Sequence, residues 1–393
     1  MTLTADPDRR FLLKAALGGA CSLAAHPLVT PVVFAAAPTD ERLAVIVLRG
    51  GLDGIAAVQP YGDPMLRSLR PTLALSRDDG LTDLDGFYGL HPGLKSLMPL
   101  WKAGELAFSH AVSTPYRDKR SHFDGQDALE SGSGSKNGMP TAARDGWLNR
   151  TLAHIPGSNS ETAMVIGATN MIILSGREPT TTWSPGSRLI LGEATADLLK
   201  VMYEGDPIFR DALGGAVMLS EEQNAQGRGG GSDRVARYAA QRLTDDSRIV
   251  AFSIGGWDTH AGQVHRLDSR LKGLAKTILT MKETLGPVWS KTTVIAITEF
   301  GRTARENGNR GTDHGTAGAM MLAGGALNGG RVHGRWPGLS PQDLYENRDL
   351  MPTRDLRSYC AWLLHAKFGL EKSALESHVF PGVDMESDPR LLG

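Results

Sequence analysis

The sequence predicts an α/β protein with a largely parallel central sheet and helices on both faces. Three observations predict it. Apolar, β-branched runs at 42–48, 249–254 and 292–297 read as buried parallel strands. Segments with helical periodicity, among them 93–102, 263–285 and 356–368, alternate with those runs. The runs at 249–254 and 292–297 lead directly into glycine-containing turns that carry acids and imidazoles. In open α/β sheets ligands sit at that carboxyl edge of the strands.

The elements follow in chain order. Asp8-Arg9-Arg10-Phe11-Leu12-Leu13-Lys14, a moderately apolar run over 15–25 and Ala35-Ala36-Ala37 together have the form of a twin-arginine export signal. Cleavage after Ala35 gives a leader over 1–35 and a remaining chain over 36–393, expected in the periplasm or secreted. The alternative is an uncleaved anchor, but Gly18, Gly19, His26, Pro27 and Pro31 interrupt the run before it can span a bilayer. No stable membrane span is expected after signal removal. Residues 36–393 are expected to form a single domain with an insertion at about 175–232.

Within that domain the first strand, 42–48, runs into Arg49-Gly50-Gly51-Leu52-Asp53-Gly54. A helix over 93–102 precedes a second strand at 105–112, and a polar loop then reaches Ser121, which has the position of a helix N-cap with Asp124 in the first turn. Short strands are expected at 162–166 and 171–174, and helices at 194–203 and 206–222 within the insertion. The glycine-rich 226–232 reads as a joint and 131–135 as a surface loop. A helix from 233 leads to the strand at 249, a long helix spans 263–285, and a small-residue strand lies at 317–324. A helix at 356–368 closes the core.

Composition narrows the function. The chain is 41% hydrophobic and 22% charged with a formal net charge of -1, which describes a globular protein able to bury a large core. The dispersed charges lack the basic stripe that a nucleic-acid backbone requires, so no nucleic-acid partner is expected. Cys21 leaves with the signal and Cys360 remains alone, so no intramolecular disulfide is expected.

The chemistry concentrates in three turns. In Gly255-Gly256-Trp257-Asp258-Thr259-His260, an acid and an imidazole two residues apart can face one side and suit a divalent metal such as zinc or manganese. The alternative is that Asp258 caps the following helix and His260 packs beside Trp257. Glu299, in Thr298-Glu299-Phe300-Gly301-Arg302-Thr303, ends a buried strand and needs a metal, a cation or backbone donors there. Arg302 is the candidate cation for a structural pair. Asp313 and His314 stand between Gly311 and Gly315, a pattern suited to a ligand turn, and His314 is the strongest single metal candidate. Asp53 is a further candidate ligand, or a simple turn aspartate.

Ser121 has its hydroxyl at the positive end of a helix and near Arg117, Lys119 and Arg120, an arrangement that suits an anionic phosphate or sulfate ester. The alternative is a plain cap. His122, Asp124 and Arg120 are catalytic candidates beside it.

Taken with Leu48-Arg49-Gly50-Gly51-Leu52-Asp53-Gly54 and Ser121-His122-Phe123-Asp124, these motifs resemble the bacterial family of exported proteins called domain of unknown function 1501. The resemblance spans nearly the whole chain after the leader. It implies an alkaline phosphatase-like fold of the alkaline phosphatase and sulfatase superfamily. Such proteins bind one or two divalent metals and use a serine, threonine or modified cysteine nucleophile. Asp258 with His260 resembles that superfamily's aspartate and histidine pair, Glu299 takes the place of a strand-end aspartate, and His314 resembles its late metal histidine. Two departures stand out: Arg49 where an acid is usual after strand one, and Phe300 where a histidine is usual, which weakens a second metal position. The resemblance thus implies a divalent ion (zinc, manganese or calcium) and an anionic ester substrate, with Arg117 or Arg120 stabilising transition-state charge. It also implies a second class, an exported binding or assembly protein with an exported protein partner.

Overall fold

The computed structural model describes residues 39–117, 119–134, 145–167, 171–184 and 231–393. The leader over 1–35, the glycine joint up to 230 and most of the expected insertion, 185–230, lie outside the described residues.

Strand β1 (Arg42–Arg49) is the centre of the molecule. Its period of two sends Leu43, Val45 and Val47 into one core and Ala44, Ile46 and Leu48 into another. A strand buried on both faces has no polar side to present, which is why the run reads as continuously apolar. Ile46 is fully buried, and truncating it to alanine is expected to cost about 2–5 kcal/mol.

Along the chain come α1 (Gly54–Ala57), β2 (Leu106–Ser113), α2 (His122–Ser131), α3 (Trp147–Leu152), β3 (Ala163–Ile166) and β4 (Thr181–Trp183). They are followed by α4 (Gly231–Thr244), β5 (Ile249–Gly255), α5 (Gln263–Leu285), β6 (Thr292–Ile297) and β7 (Gly318–Gly324). Strands β8 (Arg331–His333) and β9 (Arg354–Asp355) join the same sheet, and helix α6 (Leu356–Phe368) follows them. The sheet order is β8-β2-β7-β6-β1-β5-β3-β4, with β9 also paired to β2. All pairings are parallel except those of β7, which runs opposite to β2 and β6. The loop entering β7 therefore lies at the same sheet edge as the loops leaving β1, β2, β5 and β6.

Helix α5 buries Leu267, Leu271, Leu274, Ile278, Met281 and Leu285, a three- and four-residue spacing that makes one apolar stripe against the second core. Helix α6 covers the opposite face with Tyr359, Leu363 and Leu364. Cys360 is a free, buried thiol whose pKa burial raises. Among the described residues no helix is long and apolar enough to cross a membrane.

The expected strand at 171–174 is instead a single 3-10 turn at Ile172–Leu174. Its amides are taken elsewhere: Ile173 N–H donates to the buried Glu130 carboxylate at 3.2 Å, while β4 fills the sheet edge beside β3. The helix expected over 93–102 is broken into a 3-10 segment, Pro92–Leu97, and an α-helical turn, Met98–Lys102, with Pro99 just inside the second.

Candidate metal centre

Four loops deliver the site, each from the carboxyl end of a strand or the entry to β7. Gly50, at φ +121, lets the turn after β1 run against the Asp258 loop, where a Cβ would lie 2.6 Å from the Asp258 nitrogen. Gly301 allows the 313–316 segment to pair with the 301–303 segment, since a Cβ there would meet the Ala317 oxygen at 1.8 Å. The bridge between Arg302 and His314 follows from that contact and sets His314 beside Asp258.

Asp258 is the centre of the cluster. Its Oδ1 lies 3.0 Å from Nε2 of His260 and 3.2 Å from Nε2 of His314, and its Oδ2 lies 3.4 Å from Nε2 of His122. Each imidazole is held from behind through its other nitrogen. Nδ1 of His122 faces Glu299 Oε1 at 2.9 Å, Nδ1 of His260 faces Asp313 Oδ1 at 3.2 Å, and Nδ1 of His314 faces the Arg120 carbonyl at 2.7 Å. An acceptor at every Nδ1 assigns the proton there in the neutral ring and leaves the Nε2 lone pair pointing inward. His122, Asp258 and His314 bring ligand atoms within 4.8 Å of one another, and His260 joins them through Asp258 and His314.

Nε2 of His260 and Nε2 of His314 are 3.0 Å apart. Two bare lone pairs at that distance repel unless a proton or a cation lies between them. The ligand atoms of a tetrahedral zinc are about 3.3 Å apart, close to the separations of Asp258 from the three imidazoles and of His260 from His314. The residues therefore fit a divalent cation. Their backing by Glu299, Asp313 and a carbonyl is the outer-shell pattern that orients metal-binding imidazoles.

The electrostatics agree with the geometry. Burial alone would raise the Asp258 carboxyl, but Arg302, which donates to Oδ1 at 2.6 Å, and the imidazoles outweigh it and hold the pKa at about 2. Glu299 is 1% exposed. Burial pushes its carboxyl up, yet donation from His122, Gln126 and the Gly50 amide brings it below the ordinary value. The Glu299 partnership raises the His122 pKa, whereas burial lowers that of His314. Asp313 is lowered first by the Asn307 amide, which donates to it at 2.9 Å.

Several expected roles change in this arrangement. Glu299 and Asp313 stand behind His122 and His260 rather than facing the centre. His122, a catalytic candidate in the sequence, turns its Nε2 inward with the ligands. Asp53 lies outside the cluster: it is fully buried, pairs with Arg70 at 2.7 Å, accepts from Gln263 and caps α1. Arg302 pairs with Asp258 and not with Glu299, and it also donates to the carbonyls of Gly50, Gly51, Trp257 and Thr312. Asp258 does not cap α5, whose N-cap is Gly262. Arg120 sits at φ 48 and is bound to Asp349 at 3.0 Å and Glu346 at 2.8 Å, so its guanidinium is already neutralised. Arg117 is folded back on the Thr114 and Tyr116 carbonyls.

Ser121 caps α2, its Oγ 3.5 Å from the Asp124 nitrogen. Its neighbours on both sides touch the cluster, Arg120 through its carbonyl and His122 directly, so Ser121 lies at the rim. The Asp124 carboxylate is not among the groups brought together. Gln126 was missed in the sequence, although its place four residues after His122 puts both on one helix face. Arg70 carried no local signal.

A family model described as "Protein of unknown function (DUF1501)" matches residues 102–379. No curated protein matches the chain in sequence. Among solved structures, the chain is similar to the C-terminal periplasmic domain of EcEptC from Escherichia coli, at 8% identity and TM-score 0.42, covering 88% of this chain and 87% of that one. It is similar to Ps i-CgsB in complex with k-i-k-neocarrahexaose at 11% identity and TM-score 0.40, covering 86% and 75%. A TAB5 alkaline phosphatase mutant with Mg bound follows at 12% identity and TM-score 0.33, covering 73% and 91%.

Proposed function

The chain belongs to the family described as protein of unknown function (DUF1501), and from that premise we propose that it is an exported, metal-dependent hydrolase of phosphate or sulfate esters. One observation carries this reading: three imidazole Nε2 atoms converge on the Asp258 carboxylate while every Nδ1 is occupied from behind. His122, Asp258 and His314 would hold the ion, with His260 completing the set. Three nitrogens and a carboxylate suit zinc or manganese better than calcium, which takes oxygen ligands. When bound, a divalent ion supplies Lewis-acid stabilisation of charge on an ester oxygen.

The protein's own part is to position and neutralise. Arg302 holds Asp258 ionised and fixes three loops through the carbonyls of Gly50, Trp257 and Thr312. Glu299 fixes the His122 tautomer. Ser121, at the positive end of the ten-residue helix α2, is the candidate nucleophile. Arg120 holds the loop and leaves charge stabilisation to other groups. The reading includes export, supported by the paired-arginine leader of 1–35.

A second reading is an exported binding protein that keeps the fold, lacks turnover and acts with a protein partner. Phe300 favours it. Its ring packs against His122 and His314 at 5.1 and 4.9 Å and offers an apolar face with no ligand atom beside them. The test is elemental analysis of the mature protein, followed by assay against a panel of phosphate and sulfate esters with Ser121→Ala and His314→Ala alongside. Bound metal with ester cleavage that both substitutions abolish supports the hydrolase. Bound metal without cleavage of any ester supports the binding protein, and a wild type without metal defeats the metal-dependent reading.

A further inference from the structure

Helix α2 carries His122, Gln126 and Glu130 at a spacing of four residues, which puts all three on one face. Gly125 lets the helix come down on the strand-end turn of Glu299: a Cβ there would lie 3.1 Å from the Phe300 ring and 3.3 Å from the Glu299 Cβ. Arg49, the last residue of β1, reaches the same face. Its Nη2 donates to the Glu130 carboxylate and its Nη1 to the side-chain oxygen of Gln126. Glu130 is 2% exposed and its other oxygen accepts the Ile173 amide at 3.2 Å, so the guanidinium is anchored from inside the protein. Gln126 Nε2 in turn donates to Glu299 Oε1 at 3.1 Å.

A glutamine side chain has one donating and one accepting end. Arg49 can only donate and an ionised Glu299 can only accept, so between them they admit a single orientation of the Gln126 amide. Reversed, its oxygen would face the Glu299 carboxylate and its NH2 group would face the guanidinium. Gln126 is therefore the neutral link in a row that runs from Glu130 through Arg49, Gln126 and Glu299 to His122.

We propose that Arg49 and Gln126 are positioning residues of the metal centre. The guanidinium orients the Gln126 amide, the amide holds Glu299 as an acceptor, and Glu299 keeps the His122 lone pair turned toward Asp258. The use of this relay rests on the metal reading, whereas its hold on the His122 tautomer is independent of it.

The test turns on Gln126→Glu. That substitution keeps an oxygen for Arg49 and strengthens the contact, but it sets a second carboxylate against Glu299. A merely structural role for Gln126 would leave the centre as it is. The relay predicts zinc affinity lower by about tenfold or more, read by competition with a chromogenic chelator. Arg49→Met combined with Glu130→Gln removes the guanidinium without stranding a buried carboxylate, and should weaken zinc binding in the same direction. The second readout is nitrogen NMR of the imidazoles in metal-free protein at mildly alkaline pH, with His122 assigned by its loss in His122→Gln. Wild type is expected to hold the His122 proton on Nδ1, and both variants to lose that single form. Circular dichroism establishes that each variant is folded, and Gln126→Met serves where one is not. A His122 tautomer unchanged in the folded variants overturns the proposal. So does zinc affinity in them equal to that of a zinc-binding wild type. A wild type that binds no zinc defeats the metal reading, and the tautomer then decides the relay alone.

Discussion

Oε1 of Glu299 lies 2.9 Å from Nδ1 of His122 and also accepts the Gly50 amide at 2.8 Å. The carboxylate thus joins the turn after β1 to the first turn of α2 and turns the His122 lone pair toward Asp258. Glu299→Gln keeps the shape and removes the charge that fixes this tautomer. Metal affinity is expected to fall about 10–100-fold, with little loss of fold. Competition with a chromogenic chelator measures it, and an unchanged affinity would remove Glu299 from the site.

Asp53 and Arg70 make the opposite case, a charged pair at 0% and 1% exposure that serves the fold. Arg70 also donates to the carbonyls of Thr303 and Ala304, so Arg70→Met leaves a buried carboxylate and two carbonyls without their partner. The loss is expected to be about 3–5 kcal/mol, read by urea unfolding. Asp53→Asn should lower stability and leave metal stoichiometry untouched. Metal lost from folded Asp53→Asn protein would return Asp53 to the ligand set.

These two pairs show what could be read in the residues before the fold. The strands at 42–49, 249–255 and 292–297 and the helices over 263–285 and 356–368 were legible because length and apolar period agree in each. That Asp258, His260 and His314 would meet was legible because each stands in a glycine-flanked turn near a strand. The partners behind them were not. Nothing near Arg302 distinguishes Asp258 from Glu299 as its mate, because that choice depends on the close approach of the Gly50 turn. The reversed direction of β7 was equally hidden, since an apolar strand carries no mark of its orientation. Yet that reversal is what brings Asp313 and His314 to the shared edge.

Arg302→Met tests how the cluster is held. The Asp258 pKa is depressed in the folded protein to about 2. A depressed acid contributes stability above its ordinary value of 3.8, and that contribution is lost as pH falls from there toward about 2. Without the guanidinium, the acid transition of the metal-free protein is expected to begin at higher pH, and four backbone carbonyls lose a donor. Unfolding followed from pH 5 downward by far-ultraviolet circular dichroism checks this. Coincident transitions in the two proteins would show that Arg302 is not what keeps Asp258 ionised.

A separate acid sensitivity is set by two histidines away from the centre, the buried His110 and the half-buried His333. His110 is 1% exposed, donates from Nε2 to the Val58 carbonyl at 3.0 Å and accepts the Ala111 amide on Nδ1 at 3.0 Å. A second proton would break the latter bond and leave a charge in the core, so burial pushes its pKa down to about 4. Burial, followed by the charges of Arg331 and Arg354, does the same to His333, also to about 4. Between the ordinary value of 6.5 and about 4, the unfolded chain therefore binds protons that the folded chain refuses. Stability is present above 6.5 and declines as pH falls through that window, at up to about 1.4 kcal/mol per pH unit for the buried His110 and by less for the half-buried His333, whose charge solvent screens. His122 works against this trend in the metal-free protein, since its raised pKa adds stability at low pH that fades as pH rises through the folded value. Urea unfolding of metal-free protein at pH 7 and pH 5 should show the decline, and His333→Gln, which cannot bind the proton in either state, should flatten it. An equal decline in wild type and His333→Gln would mean that His333 takes up its proton as readily in the folded chain as in the unfolded one.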